Sequence, residues 1–138
     1  MNFEARVAVT RMECNKCGEC CEMTEMPLSV GDIERLEALG YRREKFTVKD
    51  REGLRRLRNI DERCYFYDPV KRRCRVYRHR PLGCYLYPVI YDSDKGISID
   101  NYCPMAHTVT QRELARKGRV LMRHIAKIYS EKKSLYGY

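Results

Sequence analysis

A chain of 138 residues is long enough for one domain and leaves little room for a second. With no tryptophan and only three phenylalanines beside eleven tyrosines and eight cysteines, its 43% of hydrophobic residues makes a thin aliphatic core, so cross-links through metal or sulfur enter the expected stabilisation. The formal charge of +9 counts every cysteine as neutral; eight thiolates would bring it down to +1, so the basic excess reads partly as a counter-field for sulfur and not as a nucleic-acid signature in itself.

No stretch approaches the roughly 18 apolar residues of a membrane span. Met1 to Thr10 carries Glu4 and Arg6 where a secretory signal would need an unbroken apolar run. The expectation is a cytosolic protein, in which cysteines serve metal or catalysis more readily than disulfides.

In chain order, residues 3–12 alternate in the manner of an edge strand leading into Cys14-Asn15-Lys16-Cys17-Gly18-Glu19-Cys20-Cys21. Gly18 permits a tight turn, and Cys17, Cys20 and Cys21 have the spacing of one helical face. Residues 29–40 predict a helix: Ser29 and Asp32 form a capping-box-like pair, Ile33, Leu36 and Leu39 the apolar stripe, and Gly40 the stop. Residues 41–63 are charged and irregular, with Phe46, Val48, Leu54, Leu57 and Ile60 as anchors, a short strand near 46–48 and a turn around Gly53. Cys64-Tyr65-Phe66-Tyr67 reads as a short strand closed by a turn at Asp68-Pro69, with Cys74 to Tyr77 as its return. Tyr85 to Tyr91 and Gly96 to Ile99 flank the hairpin turn Ser93-Asp94-Lys95-Gly96. From about 110 to 132 the pattern is helical, with Leu114, Leu121, Ile125, Ile128 and Tyr129 on one face and basic residues over the rest.

The four cysteines within eight residues, Cys14, Cys17, Cys20 and Cys21, carry the strongest chemical signal. Crowded thiolates repel one another, and a bound cation relieves the repulsion. C-x-x-C lets two thiolates bite one metal, and C-x-x-C-x-x-C supplies three corners of an iron–sulfur cubane. Adjacent Cys20 and Cys21 point in different directions, so either one is a core thiol or the two serve different sites. A disulfide framework is the alternative, and it needs an oxidising setting. Cys64, Cys74, Cys84 and Cys103 arrive singly and need the fold to bring them together.

The later residues carry a resemblance. Cys14, Cys17, Gly18, Cys20 and Cys21, then Cys64, then Cys74, Tyr77, Arg80, Pro81, Cys84, Tyr87 and Pro88, and finally Cys103-Pro104, follow the pattern of the CxxCxxCC family. The chain resembles that family, whose members are described as zinc- or iron-chelating, over about residues 12–106. The resemblance implies a metal-chelating domain and supplies no defined reaction. One departure stands out: the family usually has Arg after the cysteine that follows Arg-Pro, where this chain has Tyr85.

The expected architecture is a single α+β domain over residues 1–138, its core at about 12–106. Short strands and loops surround a cysteine-lined metal centre, with a long C-terminal helix. The expected ligands are all eight cysteines around an iron–sulfur cluster, of the 4Fe-4S type, or zinc. Three corners come from Cys14, Cys17 and one of Cys20 or Cys21, with Cys84 as the fourth. Cys64, Cys74, Cys103 and the spare thiol form a second site or structural support. Arg80 either pairs with an acid or donates to cluster sulfurs or an anionic ligand. His107 is an auxiliary ligand candidate, His79 a neutral imidazole among arginines, and His124 a solvent-facing residue of the basic helix. Lys71, Arg72, Arg73, Arg75, Arg78 and Arg80 form either a solvated face or a patch for nucleic acid or an acidic protein. A redox or enzyme-accessory role follows from the first reading, and a structural zinc module that binds nucleic acid from the second.

Overall fold

The structure, a computed structural model, describes residues 26–100 and 105–135. The strand expected at 3–12 and the turn at Gly18 lie outside the described residues. Among these the order is α1 (Val30–Ala38), α2 (Arg43–Phe46), β1 (Thr47–Lys49), β2 (Arg55–Leu57), β3 (Asn59–Ile60), β4 (Arg63–Cys64), β5 (Tyr67–Asp68), β6 (Arg73–Cys74), a 3-10 turn (Tyr77–His79), α3 (Leu82–Leu86), β7 (Val89–Asp92), β8 (Gly96–Ile99), a second 3-10 turn (Ala106–Thr108) and α4 (Gln111–Leu135). The class is mixed α+β with a long C-terminal helix, as expected, and the strands pair as four separate antiparallel hairpins.

α1 starts where the sequence places it. The Asp32 amide donates to Ser29 Oγ at 3.1 Å, and the Ser29 amide donates back to Asp32 Oδ2 at 3.1 Å, which satisfies two otherwise orphaned donors. Gly40 ends the helix region at φ +102°, a conformation cheap only for glycine. Ile33 and Leu36 are fully buried, but Leu39 is 44% exposed, because the helix stops at Ala38 and the chain turns before Leu39 can join the stripe. Of the anchors expected in 41–63, Phe46, Leu54 and Leu57 are buried, whereas Ile60 lies on the solvent side of β3.

Two expected strands resolve differently. Cys64 to Tyr67 is not one strand. Its first residue closes a hairpin with Asn59 and its last opens another with Cys74, with Phe66 turned into the core between them. The left-handed residues Asp61 and Glu62 (φ +51° and +66°) fold β4 back on β3 and so break the run. Tyr85 and Leu86 belong to α3, between Pro81, which fixes the entry, and Pro88, which cannot continue a helix, so β7 begins only at Val89. The β7–β8 hairpin and the turn at Gly96 (φ +76°) match the expectation.

The core has two clusters, and α3 sits between them. The first gathers Leu28, Ile33, Leu36, Phe46, Phe66 and Val76 with Cys64 and Cys84; the second gathers Leu82, Leu86, Val89 and Leu121. Leu82 and Leu86, one helical turn apart, face α4, while Cys84 between them faces the first cluster. α4 meets the β7–β8 hairpin so closely at Gly118 that a Cβ there would lie 2.9 Å from Ile97 Cγ2. The α4 stripe is rotated from the expected one. Leu121 and Ile128 are buried, but Tyr129 is 47% exposed and donates its hydroxyl to Glu52, while Glu113, Lys117 and His124 turn inward. A Glu113–Lys117 ion pair of 2.8 Å, one helical turn apart, satisfies two of those buried charges.

Candidate metal centre

Each of the three described cysteines is delivered by its own small scaffold. Cys64 ends β4 opposite Asn59, and the next amide, Tyr65, donates to the Arg58 carbonyl at 2.7 Å. Cys74 ends β6 opposite Tyr67, and the next amide, Arg75, donates to the Phe66 carbonyl at 2.7 Å. The two hairpins are therefore structural repeats, each placing an Arg-Cys pair at the end of its return strand. No sequence periodicity announces this, because their loops differ in length. Cys84 comes from α3. Cys64 and Cys84 are buried in the first core cluster, and half-buried Cys74 packs against it.

Cys14, Cys17, Cys20, Cys21 and Cys103 lie outside the described residues. Among the described residues no three Cys, His, Asp or Glu side chains form a group that could hold a metal ion. The described donors are soft thiols in an aromatic and aliphatic surround, a chemistry that fits zinc or iron and not magnesium or calcium. His79 and His107 are exposed and join no such group. The expected solvent-facing position of His124 is corrected: it is 6% exposed, with Nε2 3.6 Å from Asp32 Oδ2. The available signal is its spacing, three residues after Leu121 and four before Ile128, which puts it on the helix face those two share.

The sequence pattern marks Asp32 only as a helix cap. Its carboxylate, 1% exposed, joins three elements. Oδ2 accepts the Ser29 amide, while Oδ1 accepts Arg35 Nη2 at 2.8 Å and the Leu82 amide at 3.1 Å. α4 approaches through His124, and its Glu131 accepts the Val30 amide at 3.0 Å. No local pattern could reveal a bond across fifty residues.

Arg80 does not pair with an acid among the described residues. Its Nε donates to the Tyr77 carbonyl at 2.9 Å, and its guanidinium carbon lies 3.9 Å from the Tyr77 ring centroid and 5.0 Å from that of Tyr85. Tyr85, the departure from the family pattern, thus contributes a second ring to the cation–π contacts of Arg80. A Cβ at Gly83 would lie 2.1 Å from Met26 Sδ, so the flexible Met26 side chain would have to move aside. Gly83→Ala should change stability by no more than about 1 kcal/mol, since that shift is offset by the gain in helix propensity, read from the urea midpoint.

Burial holds the His124 imidazole below the usual histidine range, against the pull of the Asp32 and Glu131 carboxylates and with a smaller push from Lys127 and Arg35. The folded state therefore resists a proton that the unfolded chain accepts below about pH 6.5. Stability should fall as pH drops from about 7 to 5.5, before the carboxylates titrate. A urea midpoint series will show it, and His124→Gln should flatten that stretch.

A CxxCxxCC family model, described as a "putative zinc- or iron-chelating domain", matches residues 13–104. The chain belongs to the CxxCxxCC family. That match runs from the first cysteine cluster through Cys103, so Cys64, Cys74 and Cys84 and the scaffolds that present them all fall within the family's domain. Neither a curated protein nor a solved structure matches the chain.

Proposed function

We propose that this chain is a metal-chelating protein that holds zinc or iron through cysteine thiolates. The observation that carries the reading is the family match over residues 13–104, which takes in all eight cysteines, and the placing of Cys64, Cys74 and Cys84 in or against one core cluster is compatible with it. Cys84, with Cys14, Cys17 and one of Cys20 or Cys21, forms the leading site, and Cys64, Cys74, Cys103 and the remaining thiol a second site or its support. An iron–sulfur cluster of the 4Fe-4S type is preferred over zinc, in a cytosolic redox or enzyme-accessory role. When bound, such a group supplies a positive core that relieves thiolate repulsion, and for iron a one-electron couple. No helix among the described residues is long and apolar enough to cross a membrane.

Anaerobic purification followed by iron, sulfide and zinc analysis tests this. Brown protein with iron and sulfide in equal amounts is the expected result. A colourless zinc-loaded protein would replace the cluster by zinc, and a metal-free protein with paired disulfides would overturn chelation.

A second reading, a structural zinc module that binds nucleic acid, draws on one surface. Lys71, Arg72, Arg73, Arg75 and Arg78 are all exposed around the β5–β6 hairpin, and the carboxylate of Asp68 in that hairpin is engaged by the Val70 and Lys71 amides. Arg63 stacks on Tyr67 with its guanidinium carbon 4.7 Å from the ring centroid. Binding of a single-stranded oligonucleotide that weakens steeply with salt would support it, and no binding at low salt would remove it.

A further inference from the structure

The Asp32 carboxylate does more than cap its own helix. We propose that Asp32 is the positioning residue for the Cys84 ligand: by accepting the Leu82 amide it fixes the rotation of α3, so that Cys84 faces the cysteine-bearing cluster. This rests on the reading of Cys84 as a metal ligand.

Three observations support it. First, α3 has only five residues, too few to hold its own orientation through helical hydrogen bonds, and its N-cap Pro81 makes no side-chain cap bond. Asp32 Oδ1, at 3.1 Å from the Leu82 amide, supplies the missing acceptor from α1. Second, α3 is the divider between the two core clusters. A rotation that turned Leu82 and Leu86 away from α4 would also swing Cys84 out of the first cluster. Third, the carboxylate itself is held within its own helix. Ser29 and Arg35 fix it at the start of α1, and Arg35 Nη2 also reaches the Arg80 carbonyl at 3.4 Å, while the His124 ring packs nearby without a hydrogen bond to it. A carboxylate so held offers the Leu82 amide an acceptor in a fixed place.

The test is residue-resolved alkylation of the full-length, metal-loaded protein, quantified by mass spectrometry under anaerobic conditions. Asp32→Ala removes the acceptor of the Leu82 amide outright, whereas in Asp32→Asn the amide oxygen could still serve both Leu82 and Arg35 from the Oδ1 position. The expected result for Asp32→Ala is labelling at Cys84 about ten- to hundredfold faster than in the parent, the shift that losing a hydrogen bond to a charged group gives to a local opening, with Cys64 accelerated no more than in Leu54→Ala. Leu54→Ala, a buried truncation elsewhere, is the control for general loosening. The proposal is overturned if Asp32→Ala leaves Cys84 protected, or if Cys84 and Cys64 open together as in that control. Chelator treatment of the parent separates the underlying reading. If removing metal does not speed labelling of Cys84, that thiol is no ligand, and the proposal fails at its foundation and not at the Asp32 anchor.

Discussion

Replacing Asp32 by alanine will cost about 3–5 kcal/mol of stability, the range for removing one partner of a buried charged network. The substitution leaves the Ser29 and Leu82 amides without their acceptors in a site that is 1% exposed, where water cannot readily replace a carboxylate. The Arg35 ion pair contributes less, since that side chain is about a third exposed. Loss of this size lowers the melting temperature by roughly 10–20 °C, followed by helical circular dichroism. Arg35→Met should lose less, about 1–3 kcal/mol, because the buried carboxylate loses its arginine but keeps the Ser29 and Leu82 amides. A cost for Asp32→Ala equal to that of Arg35→Met would mean that the two amides find other partners, and the central place given to this carboxylate would be wrong.

The same residue marks the boundary of what the sequence discloses. Ser29, Asp32 and Gly40 announce α1 because caps and stops are local chemistry, written within three or four residues. The β7–β8 hairpin is equally readable from Gly96 and the alternating run around it. α3 is not, because Leu-Gly-Cys-Tyr-Leu has neither length nor period. Its helicity comes from Pro81 at the entry, Pro88 at the exit and an acceptor fifty residues earlier. A hairpin through Asp68-Pro69 is legible from its turn signal, but its return strand is Arg73–Cys74 and not Cys74 to Tyr77, because the chain turns after Cys74 into the 3-10 turn at Tyr77, and the split at Tyr65 and Phe66 depends on where the Phe66 ring packs. The inward turn of His124 was missed for a related reason. Charge and polarity suggest solvent, and only its angular place beside Leu121 and Ile128 says otherwise. The cysteines themselves were the most legible part. Their chemistry is fixed by element type, while their convergence depends on scaffolds that leave almost no local pattern.

Phe66→Ala should be the most damaging apolar truncation in the first cluster, at about 3–5 kcal/mol. Phe66 is 1% exposed and stands between the hairpin that carries Cys64 and the one that carries Cys74. Its ring meets Tyr41 and Tyr65 edge-on at centroid distances of 4.9 and 5.2 Å, and Phe46 at 5.4 Å. Such contacts add about 0.5–1.5 kcal/mol per pair beyond the apolar area buried. The Phe66 carbonyl still accepts the Arg75 amide in the variant, so each hairpin keeps its backbone while losing the wedge that sets one against the other. Phe66→Leu, which keeps most of the apolar volume and drops the ring contacts, should lose about 1–2 kcal/mol. Urea unfolding of the two variants side by side decides the matter. If alanine costs no more than leucine, the neighbours collapse onto the site and the hairpins are held by their backbones alone. If alanine costs the larger amount, the ring is what keeps the Cys64 and Cys74 scaffolds in register with α3.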